Sequence, residues 1–141
     1  MNLDSWFLGF YEADGCFTYN KGSCPILSMD QQDDMGCMPP ATRLMSILIG
    51  GTTNQIQTKA KRKDYDTKYK PTWKAFARSK DALLNAVWFF DQNQLISVRK
   101  QRDYNIWRQM ALLYIMNGRS ADQLPYLAAE LSSDGRTKYV V

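Results

Sequence analysis

Trp6-Phe7-Leu8-Gly9-Phe10-Tyr11-Glu12-Ala13-Asp14-Gly15 is the stretch that decides how the rest of the chain is read. It predicts a short helix that stops on a carboxylate and a glycine. Asp4 or Ser5 suits the N-cap. Phe7, Leu8, Phe10 and Tyr11 supply apolar bulk, while Gly9 and Ala13, four residues apart, leave a shallow strip on another side. Gly15 is expected to turn the chain out of the helix. Cys16-Phe17-Thr18-Tyr19-Asn20 follows with the pattern of a strand.

Two features of this helix oppose its own stability. Asp14 puts negative charge at the negative end of the helix dipole, which costs about 0.3–1 kcal/mol. Gly9 in the interior costs about 1 kcal/mol relative to alanine. An ordinary amphipathic helix has no use for either. A helix that meets a second helix closely, and aims a carboxylate at a metal ion from its end, uses both.

Phe7 to Gly15 resembles the LAGLIDADG motif of homing endonucleases. Gly9, Ala13, Asp14 and Gly15 match it outright, Phe10 and Tyr11 keep its apolar positions, and Glu12 keeps its first acid. Leu8 departs from it, where the family usually has a small residue. The resemblance implies an α+β fold of order αββαββα(α), with an antiparallel sheet that binds DNA. It implies a site-specific double-stranded DNA endonuclease that needs a divalent metal and leaves staggered ends. The family's working unit needs two motif helices. This chain shows one motif and no internal repeat, so a symmetric homodimer is expected, joined along Gly9 and Ala13.

Bulk properties agree with this reading. A chain of 141 residues suits one domain, expected over residues 1–131 with a flexible tail at 132–141. Three cysteines (16, 24, 37) and no histidine argue against a disulfide framework or a zinc site. They suit a reducing intracellular compartment: an organelle (chloroplast or mitochondrion) or a prokaryotic cytoplasm. The longest apolar runs are too short to span a membrane, so no membrane partner is expected, and no small-molecule cofactor. The charge is uneven. Residues 1–58 carry two basic and six acidic side chains, for −4; residues 59–108 carry thirteen and five, for +8; residues 109–141 carry three of each. A central basic block is the footprint of a polyanion-binding face.

Beyond the motif strand, Pro25 to Gln31 predicts an antiparallel partner with Leu27 and Met29 inward and Ile26, Ser28 and Asp30 outward. Pro39-Pro40 opens a helix with Leu44, Met45, Ile47 and Leu48 as its apolar positions, stopped at Gly50-Gly51. Thr52 to Ala60 predicts a third strand with Ile56 inward and Gln55, Gln57 and Lys59 outward. A basic turn runs from Lys61 to Lys70. Thr72 to Arg78 predicts a fourth strand whose two faces are both mixed, so its phase stays open. Helices are expected over Lys80–Phe90 and Arg99–Met116, and a short one near Asp122–Leu131.

Outward strand residues are the candidate readers of base edges: Thr18, Asn20, Ser28, Asp30, Gln55, Gln57 and Lys59. Lys61, Arg62 and Lys63, with Lys68 and Lys70, suit phosphates, which position rather than specify. For the chemistry, the resemblance assigns Asp14 and the carbonyl of Ala13 to a metal, Mg²⁺ or Mn²⁺. It makes Glu12 a structural acid. By local pattern Gln31 is similar to the family's site glutamine, which orders water near the metal. Arg99, with Lys100 next best, is similar to its site lysine. Two other readings share the fold: a maturase-like binder of intron RNA, and a catalytically inactive DNA-binding protein.

Overall fold

A computed structural model describes residues 2–20, 24–56 and 71–131. Helix α1 (Leu3–Asp14) runs straight into strand β1 (Gly15–Tyr19), which turns back into β2 (Pro25–Gln32). Helix α2 (Pro40–Leu48), strands β3 (Thr52–Ile56) and β4 (Thr72–Ala77), and helices α3 (Lys80–Gln92) and α4 (Val98–Asn117) follow. A 3₁₀ turn at Gly118–Ser120 and helix α5 (Leu124–Ala128) close the described chain. The expected order is present, within two residues at most ends.

The four strands form one antiparallel sheet in the order β1-β2-β4-β3. Its helix-covered face carries Phe17, Leu27, Met29, Ala75 and Ala77, all buried. Its open face carries Thr18, Ser28, Asp30, Lys74 and Phe76, half-buried or exposed. Burial therefore fixes the phase of β4, which alternation in the sequence left open: Ala75 and Ala77 face the helices.

The core is aromatic. Phe7 and Tyr11 of α1 meet Phe17 of β1 and Phe89 and Phe90 of α3, and Phe17 and Phe90 in turn meet Tyr104 and Trp107 of α4, at tilted and edge-on angles with neighbouring centroids 5.1–6.4 Å apart. Each such ring contributes about 1.5–3 kcal/mol through burial. This packing fixes how α1 sits, and so where its last residue points. The buried polar tips are satisfied: Trp107 Nε1 donates to the Ile26 carbonyl at 3.1 Å, and Tyr11 donates to the Cys16 carbonyl.

Three local expectations need correction. The N-cap of α1 is Asn2, whose side chain accepts from the Asp4 amide, rather than Asp4 or Ser5. The buried stripe of α2 is Ala41, Thr42, Met45 and then Ile49, while Ile47 is 68% exposed. Leu44 and Leu48 are half-buried against the core, so of the expected apolar positions only Ile47 turns to solvent. Gly15 does not end α1 by a left-handed turn, for its φ is −83° and ψ 157°. It is glycine for space: a Cβ there would stand 2.4 Å from the Tyr11 ring.

Candidate active site

Asp14 is the last residue of α1 and is exposed. Three elements surround it. Gln31, near the end of β2, lies on the helix-covered side of the sheet, and its Nε2 donates to Asp14 Oδ2 at 3.3 Å. Behind Gln31, the buried hydroxyl of Thr42 on α2 lies 3.5 Å from Gln31 Oε1. On the other side, the start of α4 closes a cleft of about 370 Å³ whose wall runs from Glu12 to Phe17 and includes Arg99, Lys100 and Asp103.

The end of α1 leaves carbonyls without partners inside the helix. Lys100 Nζ caps two of them, at 3.1 Å from the Glu12 oxygen and 2.6 Å from the Gly15 oxygen. Glu12 works in the opposite direction. Its carboxylate accepts from the amides of Ile96 and Ser97 in the turn that opens α4. The tip of α1 and the first turn of α4 are thus bound by two reciprocal contacts, a cation on carbonyls and an anion on amides. Each charge sits where the local backbone dipoles favour it. Burial raises the Tyr11 hydroxyl well above its ordinary range, with the Cys16 thiol adding to this. Tyr11 therefore stays a neutral donor under the site floor.

The two candidates for the basic residue divide cleanly. Lys100 touches the motif helix; Arg99, the first choice from the sequence, is exposed on the same cleft. Ala13 is exposed beside Asp14, and its carbonyl belongs to the last helical turn. The small-residue strip is open too. Gly9 is exposed with nothing within 4 Å of where a Cβ would be. Ser5, Trp6, Gly9, Phe10 and Ala13 line a shallow hollow that ends at Asp14. Leu8 packs against the core and leaves this hollow clear.

On the open face of the sheet, Thr18 and Ser28 are half-buried and Asp30 is exposed, with Asn20 exposed just past β1. Asp30 pairs with Lys74, Nζ to Oδ1 4.0 Å, directly across the β2–β4 ladder. Arg78 lies over the Phe76 ring at 5.6 Å. Sequence alone missed Lys74, Phe76 and Arg78 because it could not phase β4.

Positions 54, 55 and 56 of β3 pair with Lys74, Trp73 and Thr72 of β4. The side chain of Gln55 lies outside the described residues. Gln57, Lys59, Lys61, Arg62 and Lys63 lie outside the described residues.

Solved structures match this architecture along nearly the whole chain. The archaeal intron-encoded homing endonuclease I-Vdi141I, complexed with DNA, superposes with a TM-score of 0.67 at 19% identity, over 94% of this chain and 83% of that one. The LAGLIDADG meganuclease I-AabMI, bound to uncleaved DNA, gives 0.67 at 18% identity over 100% of this chain and 50% of that one. This chain has the LAGLIDADG homing-endonuclease fold. The homing endonuclease I-TnaI adds a match of nearly equal length, with a TM-score of 0.61 at 17% identity over 96% and 93% of the two chains. The chain thus spans most of some LAGLIDADG structures and half of others. No family model matches the sequence, and no curated protein sequence does. Among the described residues no helix is long and apolar enough to cross a membrane.

Proposed function

We propose that the chain is a LAGLIDADG homing endonuclease, of the intron-encoded type, that cuts double-stranded DNA at a specific site as a homodimer with Mg²⁺ or Mn²⁺. One observation carries this reading. An exposed carboxylate ends a helix whose exposed small-residue strip leads up to it. Two copies packed strip to strip would bring their Asp14 residues together, one for each strand of a duplex.

The donor chemistry suits a hard cation. Asp14 offers a carboxylate whose Oδ2 is held by Gln31, leaving Oδ1 to bind, and Ala13 offers a carbonyl. Among the described residues no cluster of three or more acidic, histidine or cysteine side chains gathers. Mg²⁺ commonly takes only one or two carboxylates, completing its shell with water and phosphate oxygens. When bound, such an ion relieves charge on the scissile phosphate and acidifies a water. Asp14 anchors, Gln31 orients its carboxylate, and Lys100 offsets the negative end of α1. Arg99 faces the cleft as a permanent cation, available to a phosphate but never as a base.

A two-fold dimer implies a near-palindromic target and staggered cuts on opposite strands. The exposed thiols of Cys16 and Cys37 suit a reducing intracellular compartment such as an organelle or a prokaryotic cytoplasm. The test is a plasmid library of candidate sites incubated with Mg²⁺ or Ca²⁺. Linear product in Mg²⁺ and binding without cutting in Ca²⁺ are expected. Asp14→Asn should bind and not cut. Cutting by that variant sinks the metal role, and a single chain on DNA by light scattering sinks the homodimer. Binding of RNA or DNA with no cutting by the unaltered protein would favour the maturase-like or inactive reading.

A further inference from the structure

We propose that Thr42 is a positioning residue that fixes which end of the Gln31 amide faces Asp14. The inference rests on the endonuclease reading for its consequence, though not for its geometry. Thr42 is one of two buried polar residues among those described, and its relative exposure is 0%. A hydroxyl so enclosed needs a partner, and the partner present is Gln31 Oε1 at 3.5 Å.

A primary amide has one accepting end and one donating end. An ionised carboxylate only accepts, so Gln31 must turn its nitrogen to Asp14, as it does at 3.3 Å. Its oxygen then needs a donor on the far side. Thr42 is that donor, and it belongs to a different element from either Gln31 or Asp14. With the amide flipped, an oxygen would face the carboxylate and repel it. The chain from α2 through β2 to α1 therefore occupies Asp14 Oδ2 and leaves Oδ1 free to turn outward. Both bonds lie at the long end of the hydrogen-bond range.

The sequence hid this role. Thr42 lies among helix-forming residues and looks like an ordinary position of α2. Only its burial and the return of β2 bring it to Gln31.

The experiment compares Thr42→Val, which keeps the shape and loses the hydroxyl, with Thr42→Ser, which keeps the hydroxyl. The first readout needs no activity: the Gln31 side-chain amide signal in the NMR spectrum of the free protein. It should move in Thr42→Val and in Asp14→Ala, and stay in place in Thr42→Ser. The second is cleavage in a double-mutant cycle with Gln31→Ala. Thr42→Val should slow cleavage about tenfold when Gln31 is present and less than about twofold in the Gln31→Ala background, because coupled residues are not additive. DNA binding in Ca²⁺ should be unaltered in both. An unmoved Gln31 signal in Thr42→Val overturns the proposal, and so does an equal loss of cleavage in both backgrounds. If the amide signals behave as expected but the unaltered protein cuts no duplex, the endonuclease reading fails and the positioning stands.

Discussion

Lys100 Nζ lies 2.6 Å from the Gly15 carbonyl oxygen, across 85 residues of chain. With its second bond to Glu12, this one ammonium joins α4 to the end of α1 beside Asp14. It also answers the question posed by Asp14 in the sequence, an acid at the wrong end of a dipole. A cation within reach of the same carbonyls offsets the negative end on which that acid stands.

Lys100→Met should therefore harm both folding and cleavage. Two carbonyls lose a charge-assisted bond, worth about 1.5–3 kcal/mol, so the denaturation midpoint should fall. Cleavage should drop by about two to three orders of magnitude, as when a preorganised charge is taken from a site. Arg99→Ala should behave differently. Its side chain is exposed, so stability should hold. DNA affinity should weaken, with the slope of log affinity against log salt shrinking by about 0.9 if Arg99 meets one phosphate. Equal losses from both variants would contradict the division of roles between these neighbours.

The two motif glycines should respond with opposite signs. At Gly15 an added methyl meets the Tyr11 ring at 2.4 Å, with both residues buried. Gly15→Ala should cost about 1–3 kcal/mol by overpacking, read in urea denaturation. At Gly9 an added methyl meets nothing within the chain. Gly9→Ala should stabilise the folded monomer by up to about 1 kcal/mol through helix propensity. If the strip is the dimer seam, the same change should raise the dimer dissociation constant about tenfold, or about 1.4 kcal/mol. Sedimentation at several concentrations checks this. Unchanged association would move the interface elsewhere.

The open face of the sheet gives a third expectation. Asp30 and Lys74 form an exposed acceptor and donor side by side. Against a major groove, an acid accepts from a cytosine amino group and a lysine donates to guanine. Asp30→Ala and Lys74→Ala should each relax base preference at one position, by about 1–3 kcal/mol of discrimination if the contact is direct. Selection from a randomised duplex pool reads this out. A uniform loss of affinity with unchanged preference would reduce both to backbone contacts.

How much of this could be read beforehand differed from element to element. The motif helix was legible because its small residues, its acid and its terminal glycine carry meaning at fixed spacing. β2 was legible because Leu27 and Met29 alternate with Ser28 and Asp30. β4 was not, since alanines on its inner face look no more apolar than Phe76 on its outer one. Lys100 and Arg99 were inseparable in sequence because adjacent helical residues differ by about 100° of rotation. Only the packing of Tyr104 and Trp107 decides that angle. Thr42 carried no signal at all, for its partner lies eleven residues away on another element.

The last expectation concerns acid stability, far from the site. Asp91 on α3 accepts from Arg108 on α4 in a two-pronged contact, at 2.9 and 3.0 Å, and from the Tyr104 hydroxyl at 2.6 Å. The Arg108 hydrogen bonds hold the Asp91 carboxyl below its ordinary value of about 3.8, with Tyr104 helping and partial burial opposing. A carboxylate depressed in the folded state stabilises that state fully above the unfolded value. The contribution fades as pH falls through the lower, folded value. Both partners are more than a third exposed, so water screens the pair and its worth is about 0.2–1 kcal/mol. Asp91→Asn should thus lower the melting temperature by a few degrees at neutral pH. It should also lose less than the unaltered chain when pH is taken below about 3.8, because asparagine has no proton to gain. The two melting curves should converge in acid. Parallel curves down to the lowest pH would mean that the α3–α4 seam is held by its aromatic packing alone.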